Sequence, residues 1–187
     1  AKHTGDGSWA EMGDRLFRRI CELCHAPNGL WHHIATADGR RSAFWSRGQQ
    51  WPIYDMTSAL RVMDLDSEPA AFVLGKLKKT FEGLRPFQDE TSGLWRVVVD
   101  DPKSRLEASA TGGIVYTHDL LRDLGVIADR DDDRIERAFH GLKRFFYAGG
   151  MAANCRGTAW GDAAYYRGRP QGWYDSGLYY GTLARRR

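Results

Sequence analysis

Two tryptophans and an arginine at positions 45–51 are the residues of this sequence best suited to bind a ligand. Trp45, Arg47 and Trp51 lie in the segment FWSRGQQW, and His33 ends a pair of histidines that precedes it. A flat indole can stack on a sugar ring, and a planar guanidinium can bind a carboxylate through two parallel hydrogen bonds. Together with a nearby imidazole, these residue types indicate an acidic carbohydrate as the ligand.

Four carboxylates lie at positions that favour structural roles. Asp55 falls within a predicted helix, and Asp100 and Asp101 precede a proline turn, where aspartate commonly binds the backbone. Glu107 stands at the predicted start of a helix, where the helix dipole favours a negative charge. We therefore expect none of the four to be an acid catalyst.

The sequence CELCH at 21–25 has the C-x-x-C-H spacing of covalent haem attachment. The motif is short, and Cys21 falls near the apolar stripe of a predicted helix, where cysteine packs as a small hydrophobic residue. We interpret the motif as part of the core. We predict no cofactor, and no other segment has the spacing of metal ligands.

The composition excludes several classes of partner. Of the 187 residues 42% are hydrophobic, enough for a core, and the net charge is only +3. We expect the arginines at 185–187 to form a solvated tail rather than a nucleic-acid site, because no aromatic platform adjoins them. No apolar run approaches the ~20 residues that span a bilayer. The first residues show no signal-peptide pattern, and the three cysteines favour a reducing compartment, so we predict a cytoplasmic location.

The spacing of apolar residues predicts an all-α fold. Apolar residues recur at steps of three and four in six stretches: 9–23, 53–63, 73–84, 106–121, 135–146 and 173–183. Ser8 with Glu11 predicts a capping box for the first helix, and Pro52 requires that the second helix begin just before it. Ser67 predicts the start of the third helix and Gly125 the end of the fourth. Strand signals are brief, chiefly at 94–99.

A weak internal repeat divides the chain into similar units. A Gly-Leu-Trp triplet at 29–31 recurs at 93–95, 64 residues later, and Gly-Gly-Met at 149–151 has a similar place after the fifth helix. Each triplet follows a helix, which indicates stacked αα-hairpins whose loops gather on one face. Three such units fit in this chain, and a closed ring of six needs roughly twice the length.

Several blocks of the sequence, taken in order, resemble one family of carbohydrate-active enzymes. The blocks are TGD at 4–6, GLWHH at 29–33, WSRGQQW at 45–51, the stretch 93–109 and the loop 154–166. They resemble glycoside hydrolase family 105, the unsaturated rhamnogalacturonyl hydrolases. The stretch 47–54 is also similar to the family 88 unsaturated glucuronyl hydrolases. The resemblance implies an (α/α)6 barrel with a site in the funnel at one end.

The resemblance also implies a reaction. These enzymes act on a 4,5-unsaturated uronic acid at the non-reducing end of an oligosaccharide, which is the partner expected here. An acid protonates C4, positive charge develops at C5, water adds there, and the resulting hemiketal collapses. One carboxyl group that donates a proton and then orders a water is sufficient, whereas ordinary glycoside hydrolysis uses two. The route needs no metal or other cofactor.

Five residues match the binding motifs of the family. By the resemblance, His33 lies near the sugar, and Arg47 contacts the substrate. Trp45 and Trp51 form stacking walls, and Thr158 offers its hydroxyl or N–H to the uronate. Each also has a structural interpretation. His33 can be a loop histidine bonded to backbone, and Arg47 can form a surface salt bridge. The two tryptophans can be core aromatics, and the loop of Thr158 can owe its glycine to a turn.

The acid/base aspartate of the family is expected upstream of Ala1, in the helix that precedes the TGD turn, so no residue of this chain is predicted to be catalytic. We therefore expect residues 1–187 to form a single barrel domain without its N-terminal half. This half-ring is expected to be inactive alone and open to self-association or to a missing half-barrel. A fragment, a shortened homologue and half of an assembly stay open. So do two other functions: a uronate-binding module without chemistry, and a different (α/α)6 carbohydrate enzyme.

Overall fold

Helices form most of the regular structure in the computed structural model, which describes residues 5–127, 133–147, 150, 151, 162–168 and 186. The helices in these ranges are α1 (Ser8–Cys24), α2 (Ser46–Leu60), α3 (Glu68–Leu84), α4 (Ala108–Asp123), α5 (Asp133–Lys143) and α6 (Ala163–Gly168). Two short antiparallel pairs accompany them: β1 (Trp95–Arg96) with β2 (Leu106–Glu107), and β3 (Phe146–Tyr147) with β4 (Gly150–Met151). The all-α prediction is confirmed. The predicted helix at 173–183 lies outside the described residues.

The helices pack as hairpins with α2 and α4 on the inside. Helix α2 contacts α4 and α3, and α4 contacts α5. Nearly all of α4 and the first turn of α2 are buried, whereas α3 and α5 each bury one face. The two inner helices approach closely because Gly113 has no side chain; a Cβ there would lie 2.3 Å from the side chain of Gln50. The core lies between the inner and outer helices.

The two Gly-Leu-Trp triplets have equivalent places in successive hairpins. Gly29 and Gly93 both have positive φ, +88° and +76°. A Cβ on Gly29 would lie 2.2 Å from the carbonyl oxygen of Lys79 in α3, and one on Gly93 would lie 2.5 Å from that of Arg137 in α5. Each triplet therefore packs against the outer helix of the next hairpin. This equivalence confirms the repeat, and the third predicted unit lies partly outside the described residues.

Two of the predicted helix boundaries are confirmed. The Ser67 side chain accepts a hydrogen bond from the N–H of Ala70 at 3.4 Å and caps α3. Gly125 has a φ of +71° and follows the end of α4. Helix α5 ends at Lys143, earlier than predicted, because Phe146 joins the β3–β4 pair.

Two predictions about helix starts are wrong. Ser8 is the first helical residue of α1 rather than its cap, and its N–H donates to the Asp6 carboxylate at 2.9 Å. Helix α2 begins at Ser46, so Pro52 lies in its interior. Its start is set by backbone pairing of Trp45 with a distant segment, which the apolar stripe does not report.

Helix α1 leaves a row of apolar residues uncovered. The stripe on this face, which we call the α1 stripe, is 57%, 39%, 58% and 50% exposed at Trp9, Met12, Leu16 and Ile20. The helix packs instead through an adjacent face, where the ring of Phe17 contacts α3. The amphipathic pattern predicted the helix but not which part of its apolar surface is covered.

The prediction of a solvated tail at 185–187 is wrong for Arg186. Its guanidinium donates two hydrogen bonds of 2.7 Å to Asp119 in α4 and one of 2.5 Å to Glu136 in α5. Its Cζ also lies 4.8 Å from the ring centre of Phe139. The Asp119 side chain is 1% exposed, so a residue near the end of the chain neutralises a buried carboxylate. Residues 185 and 187 lie outside the described ranges.

Candidate functional site

A short ladder of extended backbone fixes the start of α2. The N–H of Ser46 donates to the carbonyl oxygen of Val97, and the N–H of Val99 donates to that of Phe44, both at 2.9 Å. Trp45, the N-cap residue of α2, pairs with Val98 in the same ladder. This antiparallel pairing joins two segments that are distant in sequence and sets the position of the first turn of α2.

The indole of Trp45 lies between the two side chains best suited to bind a uronate. The ring centre of His33 is 4.9 Å away, with its plane at 78° to the indole. The guanidinium carbon of Arg47 lies 4.6 Å from the indole centre, which is a cation–π distance. The structure therefore brings His33 and Arg47 together. Trp45 itself is 0% exposed, so the prediction that it is a sugar-stacking wall is replaced by a packing role.

The adjacent histidines lie in different environments. Nδ1 of His32 is 2.7 Å from the carbonyl oxygen of Ser42, which fixes it to the backbone of the loop. His33 packs on the first turn of α2, where a Cβ on Gly48 would lie 3.0 Å from the Cβ of His33. His32 is the loop anchor, and His33 is half-buried at the helix start.

Gln49 is a site residue that the sequence interpretation missed. Its Nε2 donates to the Trp31 carbonyl oxygen at 2.6 Å, and its Oε1 accepts from the Trp31 N–H at 2.6 Å. The same Nε2 donates to the carbonyl oxygen of Trp45 at 3.1 Å. The buried amide thus makes the two backbone hydrogen bonds to Trp31 that a neighbouring strand would make in a sheet. It thereby fixes the loop that carries His33. A polar residue within a buried helical turn is the signal that could have identified it.

Trp51 and Asp55 extend the site along α2. Steps of four residues place Arg47, Trp51 and Asp55 on the same side of the helix. Trp51 is 42% exposed, so its indole has free surface on which a sugar ring can stack. Asp55 is also exposed, yet partial desolvation by the surrounding protein raises the pKa of its carboxyl group.

Two of the sequence predictions fall on parts of the chain that the structure does not describe. Thr158, the predicted uronate contact, lies outside the described residues. Residues 1–4 also lie outside the described residues. The acid/base aspartate is expected upstream of Ala1, so the structure does not describe this end of the chain. The role of Thr158 and the location of the acid therefore stay predictions.

Two of the other carboxylates bind neighbouring structural groups. Glu107 is the N-cap of α4 and accepts the N–H of Ala110 at 2.6 Å, which confirms its interpretation as a helix-start charge. Asp101 accepts from Arg167 at 2.6 Å and from the N–H of Lys103 at 3.0 Å. Both side chains thus have structural partners.

Comparison with known proteins assigns the chain to a family. The sequence profile described as Glycosyl Hydrolase Family 88 matches residues 2–181. The chain belongs to glycosyl hydrolase family 88. It is 32% identical over 109 residues to the unsaturated rhamnogalacturonyl hydrolase YesR of Bacillus subtilis (strain 168), a match that covers 52% of this chain and 31% of YesR. The family implied by the sequence blocks is therefore confirmed.

Solved structures show which fold this family 88 chain shares. A possible member of the GH105 family from Salmonella enterica serovar Paratyphi A is 25% identical, with a TM-score of 0.84 over 95% of this chain and 49% of that one. The unsaturated glucuronyl hydrolase of Bacillus sp. GL1 is 16% identical, with a TM-score of 0.70 over 100% of this chain and 54% of that one. The chain thus spans about half the length of these structures. Its hairpins form part of an (α/α)6 barrel, as predicted.

The C-x-x-C-H motif of this family 88 chain belongs to the core. Cys21 is 4% exposed, and burial raises the pKa of its thiol to about 11. The ring of His25 lies 4.5 Å from that of Trp31, and its Nε2 is 3.1 Å from the carbonyl oxygen of Gly29. Burial, together with two nearby lysines, lowers the pKa of His25 to about 4. These contacts confirm the packing interpretation of Cys21 and His25.

A cavity of about 460 Å³ lies away from Trp45, His33 and Arg47, between α3 and the C-terminal part of α4. Its lining is mainly apolar, with His118 and Arg85 among the polar residues, and none of the predicted site residues contributes to it. Within the described ranges, no three His, Cys, Asp or Glu side chains lie close enough together to hold a metal ion. No helix in those ranges is both long and apolar enough to cross a membrane.

Proposed function

We propose that this family 88 chain supplies the uronate-binding part of an unsaturated uronyl hydrolase. The enzyme hydrates the C4–C5 double bond of a 4,5-unsaturated uronic acid at the non-reducing end of an oligosaccharide. The activity named for YesR and that named for the Bacillus sp. GL1 enzyme support this substrate class. The observation that carries the proposal is the convergence of Arg47 and His33 on Trp45, at 4.6 and 4.9 Å.

In this proposal Arg47 binds the carboxylate of the uronate. Its guanidinium lies beside the Trp45 indole, and the residue is 2% exposed, so it is shielded from bulk water. A planar cation held there can make two parallel hydrogen bonds to a carboxylate, and such bonds are stronger away from water. Lysine offers a point charge without this geometry, so Arg47 cannot be exchanged for lysine without loss.

Three other residues complete the proposed subsite. His33 polarises a ring oxygen or the attacking water from the edge of the Trp45 indole. Trp51 presents its exposed surface to the sugar ring, one turn along α2 from Arg47. Thr158 offers its hydroxyl or N–H to the uronate.

The proton donor is assigned to the part of the ring that this chain does not span. Glu107 caps a helix and Asp101 pairs with Arg167, so each has a structural partner. By the resemblance, we expect the acid/base aspartate of the family upstream of Ala1. We therefore expect residues 1–187 alone to bind a uronate without turning it over.

Calorimetric titration of residues 1–187 with 4,5-unsaturated galacturonic acid tests the binding step. Saturable binding is expected, weakened at least about 10-fold by Arg47→Lys and lost in Arg47→Ala. Arg15→Lys, an exposed substitution on α1, is the matched control and leaves binding unchanged. Absence of binding, or binding that survives Arg47→Ala, contradicts the proposal. Loss of the ultraviolet absorbance of the C4–C5 double bond with residues 1–187 alone contradicts the assignment of the acid.

The proposed partner of the α1 stripe is the remaining half of the ring. The stripe exposes Trp9, Met12, Leu16 and Ile20 by between 39% and 58%. Apolar patches of this kind are typical of covered interfaces. The Salmonella structure superimposes on 95% of this chain, and about half of its length has no counterpart here. Helices from that other half, rather than a second copy of this chain, are the occupants we infer.

Co-expression tests this partner. Residues 1–187 are produced together with the half of the Salmonella protein that this chain does not cover. Co-purification of the two halves is expected, and Leu16→Glu abolishes it, whereas Glu11→Gln on the polar side of α1 does not. Dimers of residues 1–187 that persist in the presence of that half contradict the inferred occupant.

A uronate-binding module without chemistry is a second candidate function. It is favoured by the structural partners of Glu107 and Asp101, which leave neither as an evident acid. The assembled halves distinguish the two candidates. Turnover of the unsaturated substrate identifies an enzyme, and Arg47-dependent binding without turnover identifies a binding module.

A further inference from the structure

We propose that Tyr166 is a positioning residue that holds the Arg47 guanidinium and the His33 imidazole in place through the Trp45 indole. This inference rests on the proposed function, because Arg47 and His33 are its binding residues. Tyr166 belongs to α6, a short helix more than a hundred residues after the WSRGQQW segment, and it ends the block 154–166, in which the sequence predicted only Thr158 as a site residue.

The rings of Tyr166 and Trp45 are stacked. Their centres are 5.6 Å apart, and their planes differ by only 14°. Both side chains are 0% exposed. Besides its apolar neighbours, the indole contacts a parallel phenol ring, an imidazole whose plane lies at 78° to it, and a guanidinium.

Helix α6 is tied to the same ladder that fixes the start of α2. Arg167 donates to Asp101 at 2.6 Å, and Asp101 follows the ladder residues 97–99 closely along the chain. Ala163 and Tyr165 pack against the small apolar cluster that includes Trp45 and Tyr166. The ladder thus supports both stacked residues, Trp45 and Tyr166, although they lie far apart in the sequence.

The parallel phenol ring adds to the packing that fixes the indole. The backbone of Trp45 is held by the ladder, but its side chain can rotate about two bonds. Its buried Nε1 has no hydrogen-bond partner among the described residues. A close-packed parallel ring restricts this rotation, whereas a flexible side chain in its place does not. Because His33 and Arg47 both contact the indole, a rotation changes both contacts together.

Nuclear magnetic resonance on residues 1–187 tests the positioning role without requiring activity. The probes are the ring protons of His33 and the Nε–H of Arg47, whose shifts report the nearby indole. In Tyr166→Leu we expect both sets of shifts to move toward the values of unstructured peptides. Tyr166→Phe, which keeps the ring, retains them, and Phe72→Leu, which removes a distant aromatic contact between α1 and α3, leaves them unchanged.

We expect the affinity for 4,5-unsaturated galacturonic acid to be reduced in Tyr166→Leu and retained in Tyr166→Phe, as for the resonance shifts. Tyr166→Leu raises the dissociation constant by about 3- to 10-fold, the range expected when one aromatic pair is lost, and Tyr166→Phe leaves it within a factor of about two. Tyr166→Met fills the space without a ring and replaces Tyr166→Leu if that variant does not fold.

Two results overturn the inference. One is a folded Tyr166→Leu or Tyr166→Met variant with unchanged His33 and Arg47 signals. The other is a Tyr166→Phe variant as altered as Tyr166→Leu, which assigns the effect to the hydroxyl. If the unmodified chain binds no uronate, the proposed function fails, and the resonance shifts still decide the role of Tyr166.

Discussion

Gln49 and Trp31 are joined by two hydrogen bonds of 2.6 Å, although 18 residues separate them in the chain. One side-chain amide thereby satisfies both backbone groups of a buried residue. His33 follows Trp31 by two positions, and Arg47 precedes Gln49 by two, so the amide ties the loop of one proposed binding residue to the helix of the other. The relative position of His33 and Arg47 therefore depends on Gln49 as well as on Trp45.

Replacement of Gln49 by leucine is expected to destabilise the chain strongly. The N–H and carbonyl groups of Trp31 lose buried partners, which costs about 2–4 kcal/mol of unfolding free energy. Gln49→Glu keeps an acceptor, and it offers a donor only when its carboxyl group is protonated, so an intermediate loss is expected only in that state. Urea unfolding monitored by circular dichroism measures the difference. A loss below about 0.5 kcal/mol in Gln49→Leu is incompatible with this role.

The two tryptophans of the WSRGQQW segment are expected to respond in opposite ways. Trp45 is 0% exposed and Trp51 42% exposed. Trp45→Leu leaves a cavity and costs about 3 kcal/mol of unfolding free energy, whereas Trp51→Leu costs less than about 1 kcal/mol. Conversely, Trp51→Leu weakens uronate binding about 5-fold because a stacking surface is lost. Thermal unfolding and calorimetry on the same samples separate the two effects. Equal losses of stability in both variants contradict the assigned roles.

The stability of the chain is expected to fall as the pH is lowered from about 6.5 to about 4. Burial of His25 lowers its pKa from 6.5 to about 4, so the unfolded state binds more protons than the folded state in this window. The stabilisation is complete above pH 6.5 and is lost toward pH 4, by about 1–2 kcal/mol once the partial exposure of the ring is allowed for. Chemical unfolding at several pH values measures this slope. His25→Gln, which cannot take up a proton, flattens it, and an unchanged slope in that variant assigns the effect elsewhere.

Two glycines in outer helices offer a matched comparison. A Cβ on Gly141 would lie 1.7 Å from the carbonyl oxygen of Ser92, whereas one on Gly75 meets open space. Gly141→Ala is therefore expected to cost more than about 3 kcal/mol, because helix α5 must move away from the 93–95 triplet. Gly75→Ala is expected to stabilise the chain by about 0.5–1 kcal/mol through helix propensity. The melting temperatures of the two variants measure these changes in stability. A Gly141→Ala variant with unchanged stability is evidence against the tight packing of the repeat.

Removal of the Arg186 side chain is expected to leave a buried charge without its main partner. Asp119 is 1% exposed and keeps Arg122 at 3.2 Å, which offsets part of the loss. Arg186→Met is expected to cost about 2–4 kcal/mol of unfolding free energy. The double variant Arg186→Met/Asp119→Leu is expected to recover more than half of this loss, since the uncompensated carboxylate is gone. A double-mutant cycle by urea unfolding measures the coupling, and additive losses contradict an interaction between the two residues.

Helix positions were largely predictable because the period of apolar residues is a local property. Ser67 and Gly125 mark helix ends through contacts with residues a few positions away, and Glu107 caps α4 in the same way. These interactions form within one segment, so a segment of sequence is enough to predict them. The start of α2 was predicted too late because Trp45 is held by pairing with Val98, a residue far along the chain.

The sequence by itself determined that the chain is built of helical hairpins, and its ordered motifs indicated the family and the residues Arg47 and His33. Only the tertiary structure decided that Trp45 is buried between them, that Gln49 bonds Trp31 and Tyr166 stacks on Trp45, and that Arg186 neutralises Asp119. The reason is that burial and hydrogen-bond partnership depend on which distant segments meet. Spacing along one helix gives the face on which a residue lies, but not what covers that face.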